Sequence, residues 1–210
     1  MLEIKTYPLG VLQTNCYLLY SQQEAMVIDP GGDPERIVTH LKEKGLKLAM
    51  ILNTHLHFDH IQGNADLAAA TGAKIFAPEE DRFLLQTEVG AGGFMDFPET
   101  PEFEFEDLKE GRHDFLGHEC QVLHTPGHTP GSLSFYFPEL QSVFVGDLLF
   151  LRAVGRTDFP GGSMSMLQRS AREKIFTLPD NTVIYSGHGP ESMVIDERKN
   201  NPFFQNTSFT

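Results

Sequence analysis

Three of the nine histidines in this 210-residue chain fall within Thr54-His55-Leu56-His57-Phe58-Asp59-His60. Imidazole and carboxylate are ligand types that zinc, iron and manganese accept. Side chains alternate along an extended backbone, so His55 and His57 point to one side. A turn after them lets Asp59 and His60 present a second pair from the start of a helix. One loop then offers two ligands to each of two adjacent divalent ions. A solvated polar loop is the rival reading, and it does not account for the His-x-His-x-Asp-His spacing.

Two ions sharing four ligands are under-coordinated, so further ligands are expected. His128 lies in Thr125-Pro126-Gly127-His128-Thr129-Pro130-Gly131, where two glycines and two prolines fix a tight turn. Asp147 ends the apolar run Val143-Phe144-Val145-Gly146, and a carboxylate readily bridges two cations. His188 follows Ile184-Tyr185-Ser186-Gly187, again at a strand end. Each of the three also has a plain reading as a turn or core residue; their joint occurrence after the histidine loop favours metal. His40, His113, His118 and His124 are not expected to be ligands, although His124 is a candidate pocket residue. Asp29, closing a strand, is a candidate acceptor that would fix the tautomer of a ligand imidazole.

With these motifs in this order, the sequence resembles the metallo-β-lactamase superfamily along nearly its whole length. Within that superfamily it is similar to the short glyoxalase II-like (hydroxyacylglutathione hydrolase-like) hydrolases. The resemblance is carried by Gly127-His128-Thr129-Pro130-Gly131, Gly155-Arg156-Thr157-Asp158-Phe159-Pro160, Gly187-His188-Gly189-Pro190 and Asn201-Pro202-Phe203. It implies that His55, His57 and His128 hold one ion, that Asp59, His60 and His188 hold the other, and that Asp147 bridges them. It further implies two divalent ions, zinc first with iron or manganese as alternatives, and hydrolysis of S-lactoylglutathione or a related small thioester. The longer glyoxalase II enzymes carry a C-terminal helical domain that grips glutathione, and this sequence is expected to lack it. Arg156 is then a candidate for holding a substrate carboxylate, or for pairing with Asp158.

Two divalent ions about 4 Å apart lower the pKa of a shared water towards neutrality, and the hydroxide attacks a carbonyl that one ion polarises. A thioester suits such a site, because a thiolate leaving group with a pKa of about 8.5 departs without a general acid. Two other readings stand beside this one. A mononuclear-iron persulfide dioxygenase acting on glutathione persulfide would use His55, His128 and Asp147, and the related dioxygenases share the Gly155-to-Phe159 motif. Against it, Gly189-Pro190 stands where those enzymes place an Asp-Tyr pair. A non-catalytic, metal-stabilised interaction module is the third reading.

These ligands need strand ends to position them. Strands are expected at 4–8, 16–20, 25–29, 48–53 and 74–76, then at 114–116, 121–124, 132–137, 142–145 and 182–185. Helices are expected from Asp33-Pro34 to about Lys44, with Gly45 as the stop, at 62–70, at 79–87 and at 163–176. The repeated strand-then-helix order gives two halves, about 1–110 and 111–200, of a single α/β domain. The resemblance makes that domain a four-layer αββα sandwich with the metals at one edge of its two sheets. Segment 88–100 reads as a loose, mobile loop whose Phe94 and Phe97 could cover a substrate as a lid.

A net charge of −13 sets the surface against polyanions, so nucleic acid is not an expected substrate. No run of about 18 apolar residues is present, so no membrane span is expected. The first residues, Met1-Leu2-Glu3-Ile4-Lys5, lack the basic and apolar segments of a leader, and a cytoplasmic protein is expected. Cys16 and Cys120 are too few and too far apart for a disulfide framework, and Cys16 in its alternating strand reads as a small core residue.

Overall fold

The computed structural model describes residues 2–205 and builds two mixed six-stranded sheets. In the first, β1 (Glu3–Leu9), β2 (Thr14–Tyr20), β3 (Glu24–Ile28), β4 (Lys47–Leu52), β5 (Lys74–Ala77) and β6 (Glu106–Asp107) lie side by side in chain order. The β1–β2–β3 meander is antiparallel, and β3 to β6 pair in parallel through crossovers. The second sheet opens with the antiparallel run β7 (Gly111–Phe115), β8 (His118–His124), β9 (Leu133–Phe137) and β10 (Ser142–Gly146). A small ribbon, β11 (Leu149–Phe150) with β12 (Ala153–Val154), follows. The chain then returns to the second sheet, where β13 (Val183–Ser186) lies parallel to β10 and carries β14 (Ser192–Met193) on its far edge.

Helices fill the connections, α1 (Glu35–Lys44), α2 (Phe58–Ile61), α3 (Asn64–Thr71), α4 (Glu88–Ala91) and α5 (Met164–Ser170), and α6 (Val194–Asn200) follows the last strand. The first begins two residues after Asp33, whose carboxylate accepts the Glu35 N–H at 2.9 Å, and it stops at Gly45 with φ 65°. Only glycine takes that left-handed conformation without steric cost. Segment Glu79–Gln86, expected as an α-helix, forms a 3₁₀ helix. The helix expected over 163–176 splits into α5 and a π turn at Ala171–Ile175.

Strict alternation explains the layering. On β2, Cys16 and Leu18 face one way and Tyr17 and Leu19 the other, and β3 repeats this with Ala25 and Val27 against Met26 and Ile28. Both faces are buried, as a sheet between two layers requires. Cys16, Leu18, Ala25 and Val27 pack under Ile37 and Leu41 of α1, Ile61 of α2 and Leu67 of α3. Tyr17, Leu19, Met26 and Ile28 meet Val122, Phe135, Phe137 and Phe144 of the second sheet. The outer face of that sheet, with Tyr136, Val143, Val145 and Ile184, is covered by Leu167 of α5, Ala171, Ile175 and Val194 of α6. Three apolar interfaces make four layers, αββα. Tyr17 stands edge-on to Phe144 at 5.0 Å across the inner interface. Truncating a fully buried ring such as Phe144 would cost about 3–5 kcal/mol. Among the described residues no helix is long and apolar enough to cross a membrane.

Candidate metal centre

The end of β4 delivers the histidine loop, and Asp29, just past β3, ties it down. Asp29 has a left-handed backbone, φ 53°, a conformation that costs a non-glycine residue about 1 kcal/mol. Its carboxylate offsets that by accepting the Thr54 N–H at 2.8 Å and the Thr54 hydroxyl at 2.6 Å. It also accepts His60 Nδ1–H at 2.9 Å. Because the Thr54 hydroxyl donates to Asp29, its oxygen is left to accept His55 Nδ1–H at 3.0 Å. His128 Nδ1–H donates to the Arg156 carbonyl at 2.7 Å. These bonds place a proton on Nδ1 of three imidazoles and turn Nε2 towards the centre, the nitrogen each would offer to a cation.

All seven nominated residues converge. His55, His57 and His128 bring ligand atoms within 4.8 Å of one another, and so do His55, His60 and Asp147, and Asp59, His60 and His188. The Asp147 carboxylate lies between the groups, with Oδ1 3.3 Å from His60 Nε2 and Oδ2 3.7 Å from His128 Nε2 and 3.6 Å from His188 Nε2. Asp59 Oδ2 is 3.2 Å from His188 Nε2 and accepts the Thr14 hydroxyl at 2.9 Å. His55, His57, His60 and His128 are buried, whereas the His188 side chain is 30 % exposed, so the centre opens to solvent on that side.

These residues fit a metal by their own chemistry. His55 Nε2, His57 Nε2, His60 Nε2 and Asp147 Oδ1 are buried without a hydrogen-bond partner, a costly state for polar atoms. His57 Nδ1 lies 2.9 Å from His128 Nε2, so the pair is satisfied either by a ring proton between the two nitrogens or by a cation that both contact. Space is kept for one: a Cβ on Gly187 would come within 2.2 Å of Asp147 Oδ1 and 2.7 Å of His60 Cε1. Burial, with His128 close by, pushes His57 down to about 3, and burial also lowers His55 and His128. Burial would lower His60 and His188 too, but Asp59 and Asp147 outweigh it and hold both above the ordinary value. The neighbouring histidines in turn overcome the burial of Asp59 and Asp147 and keep both carboxyls below the usual carboxylate range.

The weaker substrate candidates lie at the rim. Arg156 donates from Nε and Nη2 to Asp158, each at 2.7 Å, and its guanidinium lies 3.7 Å over the Phe159 ring. Phe159 itself stands edge-on to His57 at 5.6 Å. Of the two roles open to Arg156, the structure shows the pairing with Asp158. Phe94 and Phe97 pack on Phe58, at 5.6 and 5.0 Å, beside Asp59. Their segment is more ordered than the loose loop expected. It starts as α4, pairs Gly92 with Glu99, and is tied by Thr100 N–H to Ala91 and by Gln62 Nε2 to Pro98. His124 braces the His128 turn, its Nε2 2.8 Å from the Pro130 carbonyl. His40, His113 and His118 lie outside the cluster, against Lys5, the Lys109 carbonyl and Glu139. Open grooves of about 390 Å³ beside Ala65 and Phe103 and of about 310 Å³ beside Lys5 and Arg36 contain none of the seven residues.

Sequence reasoning missed the supports. Thr14, Thr54, Thr129 and Asp81 carry no pattern of their own. Asp81 is fully buried and accepts hydrogen bonds from both ligand-bearing loops. Asn15 Nδ2 donates to the Ser186 and Gly189 carbonyls and Tyr17 Oη to Ser186, so β2 of the first sheet holds the loop of His188 from the second.

Residues 9–188 match the profile of the metallo-beta-lactamase superfamily, and the chain belongs to it. Over 96 % of its length it is 36 % identical to the probable metallo-hydrolase YqgX of Bacillus subtilis, of which it covers 97 %. Over 99 % it is 34 % identical to the hydroxyacylglutathione hydrolase GloC of Haemophilus influenzae, covering all of that protein. Its fold superposes on BLEG-1 B3 metallo-beta-lactamase with a TM-score of 0.91, at 36 % identity over 97 % of this chain and 100 % of that one. On TTHA1623 in a di-iron-bound form the TM-score is 0.85, at 36 % identity over 95 % and 99 % of the two chains. On ETHE1 from Myxococcus xanthus it is 0.74, at 28 % identity over 95 % and 83 %. The family and the four-layer fold read from the motifs are thereby borne out, with a His/Asp cluster suited to metal at the sheet edge.

Proposed function

We propose that this chain is a binuclear metal-dependent hydrolase of small thioesters of the S-lactoylglutathione type. The observation that carries it is the convergence of seven ligand-type side chains, among which His55 Nε2, His60 Nε2 and Asp147 Oδ1 are buried without a hydrogen-bond partner. His55, His57 and His128 would hold one ion and Asp59, His60 and His188 the other, with Asp147 placed to touch both. Divalent ions held there supply Lewis acidity and an acidified water. Full-length similarity to GloC supports the thioester class, and TTHA1623 in its di-iron form makes iron a candidate beside zinc and manganese.

The protein's own groups favour a thioester over an amide. Asp59 and Asp147 are both held ionised, so neither brings a proton for a departing amine. A thiolate needs none. Thr14 orients Asp59, Asp29 orients His60, and the Arg156 carbonyl orients His128, so the ligand set is braced before substrate arrives. Substrate enters on the open side, past His188 and the neighbouring ring of Phe150, which lies 6.0 Å from it. Protein purified with its metals should contain two ions per chain and hydrolyse S-lactoylglutathione. Metal-replete protein inert towards a panel of thioesters would refute this reading.

One rival is a mononuclear-iron persulfide dioxygenase built on His55, His128 and Asp147, with the first two rings 4.8 Å apart and Asp147 Oδ2 3.7 Å from His128 Nε2. It leaves His57, Asp59, His60 and His188 converged without a role. Oxygen uptake with glutathione persulfide, measured beside thioester hydrolysis on the same iron- and zinc-loaded samples, separates the two.

A further inference from the structure

Asp81 touches no candidate ligand, yet it joins the His55–His57 stretch to the turn of His128, the three histidines assigned to one ion. It sits on the 3₁₀ segment Glu79–Gln86 and is fully buried. Its Oδ1 accepts the Gly131 N–H at 2.7 Å. Its Oδ2 accepts the Thr129 hydroxyl at 2.7 Å and, more loosely, the Leu56 N–H at 3.4 Å. Leu56 lies between His55 and His57, and Thr129 follows His128. The Thr129 hydroxyl is also 2.7 Å from Ser132 Oγ, which closes the turn on itself. The approach is tight, since a Cβ on Gly131 would come within 2.7 Å of Asp81 Oδ1.

We propose that Asp81 is a positioning residue of the metal centre, holding the His55–His57 loop at a set distance from the turn that carries His128. The inference rests on the ligand assignment above. Its physical core is donor arithmetic: two N–H groups and one O–H converge on one point, and a carboxylate is the side chain that only accepts. An asparagine would turn an NH₂ on at least one of those donors. The three imidazoles of one ion come from both sheets, and their separation is fixed by whatever spans the gap. The Leu133 N–H bond to the Thr54 carbonyl, at 2.8 Å, spans it at one place and Asp81 at another. Asp29, by contrast, holds the loop at its two ends, Thr54 and His60, and makes no bond to the turn of His128. Loss of Asp81 therefore weakens one ion of the pair selectively.

The test compares Asp81→Ala, Asp81→Asn and Thr129→Val with the parent, all as full chains. Metal affinities are read by chelator competition, coordination by the visible spectrum of the cobalt(II)-loaded protein, and the fold by Tm without metal. The expected result for Asp81→Ala is one ion bound as in the parent and one bound about 10–100-fold more weakly, with an altered cobalt spectrum. Asp81→Asn should fall between, because its amide oxygen still accepts one N–H, and Thr129→Val should show the same selective loss in milder form. If Asp81→Ala does not fold, those two variants decide the matter. A lowered Tm with both affinities and the cobalt spectrum unchanged would overturn the proposal and leave Asp81 a plain turn-closing residue. A parent chain that takes up no metal would overturn the ligand assignment itself, and this inference with it.

Discussion

Asp29 and His60 meet carboxylate to imidazole at 2.9 Å, both buried, and that pair anchors one end of the metal loop to the end of β3. Asp29→Ala would strand the Thr54 N–H and free His60 to adopt the other tautomer. The expected result is a loss of about 3 kcal/mol in stability, from buried donors left unsatisfied. Metal affinity should fall about 10–100-fold at the ion that His60 would hold. Denaturant unfolding and chelator titration read the two effects separately. Parent-like metal binding would show that the tautomer is set without Asp29.

Asp147 lies between the two sets of histidines, so its removal should be felt by both. Asp147→Ala is expected to lose metal from both positions and to reduce thioester turnover by more than the roughly 100-fold that losing an outer hydrogen bond costs. Elemental analysis together with turnover checks this. A variant that keeps both ions and its rate would remove Asp147 from the bridging position.

How much of this was legible in the sequence depended on distance along the chain. His55, His57, Asp59 and His60 share one loop, so their spacing alone exposed them. His128, Asp147 and His188 could be nominated as strand-end ligand types, but only the resemblance grouped them. The supports were out of reach. The donors to Asp81 lie 25, 48 and 50 positions away, and Asp81 itself stands in the run Glu79-Glu80-Asp81-Arg82, which reads as a solvated helix start. Asn15 reaches the His188 loop across 171 and 174 residues. Layer order was not legible locally: periodicity alone gives an α/β or α+β domain, the four layers came from the resemblance, and pairing between the halves depends on contacts that no local pattern encodes.

Acidification should strip the two ions in order. Asp59 and Asp147 hold His60 and His188 above the ordinary imidazole value, while burial keeps His55, His57 and His128 below it. A raised pKa means a proton is bound at a higher pH, and that proton competes with the metal. As pH falls, the ion of the Asp59, His60 and His188 set should therefore leave first, and activity should drop with it. Metal retained after dialysis at about pH 8 and about pH 5 tests the order. Release of both ions together, or of the three-histidine ion first, would contradict it.

Phe94 and Phe97 test whether their segment takes part in substrate binding. Both rings rest on Phe58, which lies between the candidate ligands His57 and Asp59, while Met95 at the tip is 82 % exposed. The double variant Phe94→Ala, Phe97→Ala removes half-buried rings, so a modest loss of about 1–2 kcal/mol in stability is expected, well under the cost of emptying a full core position. If the rings form one wall of the substrate path, KM for a bulky thioester should rise several-fold, kcat should hold, and KM for a small acyl thioester should change little. Metal content should stay at the parent level, because neither ring touches a ligand atom. Unchanged kinetics for both substrates would reduce the segment to a surface connection. Loss of metal would show instead that the rings, through Phe58, keep Asp59 in place.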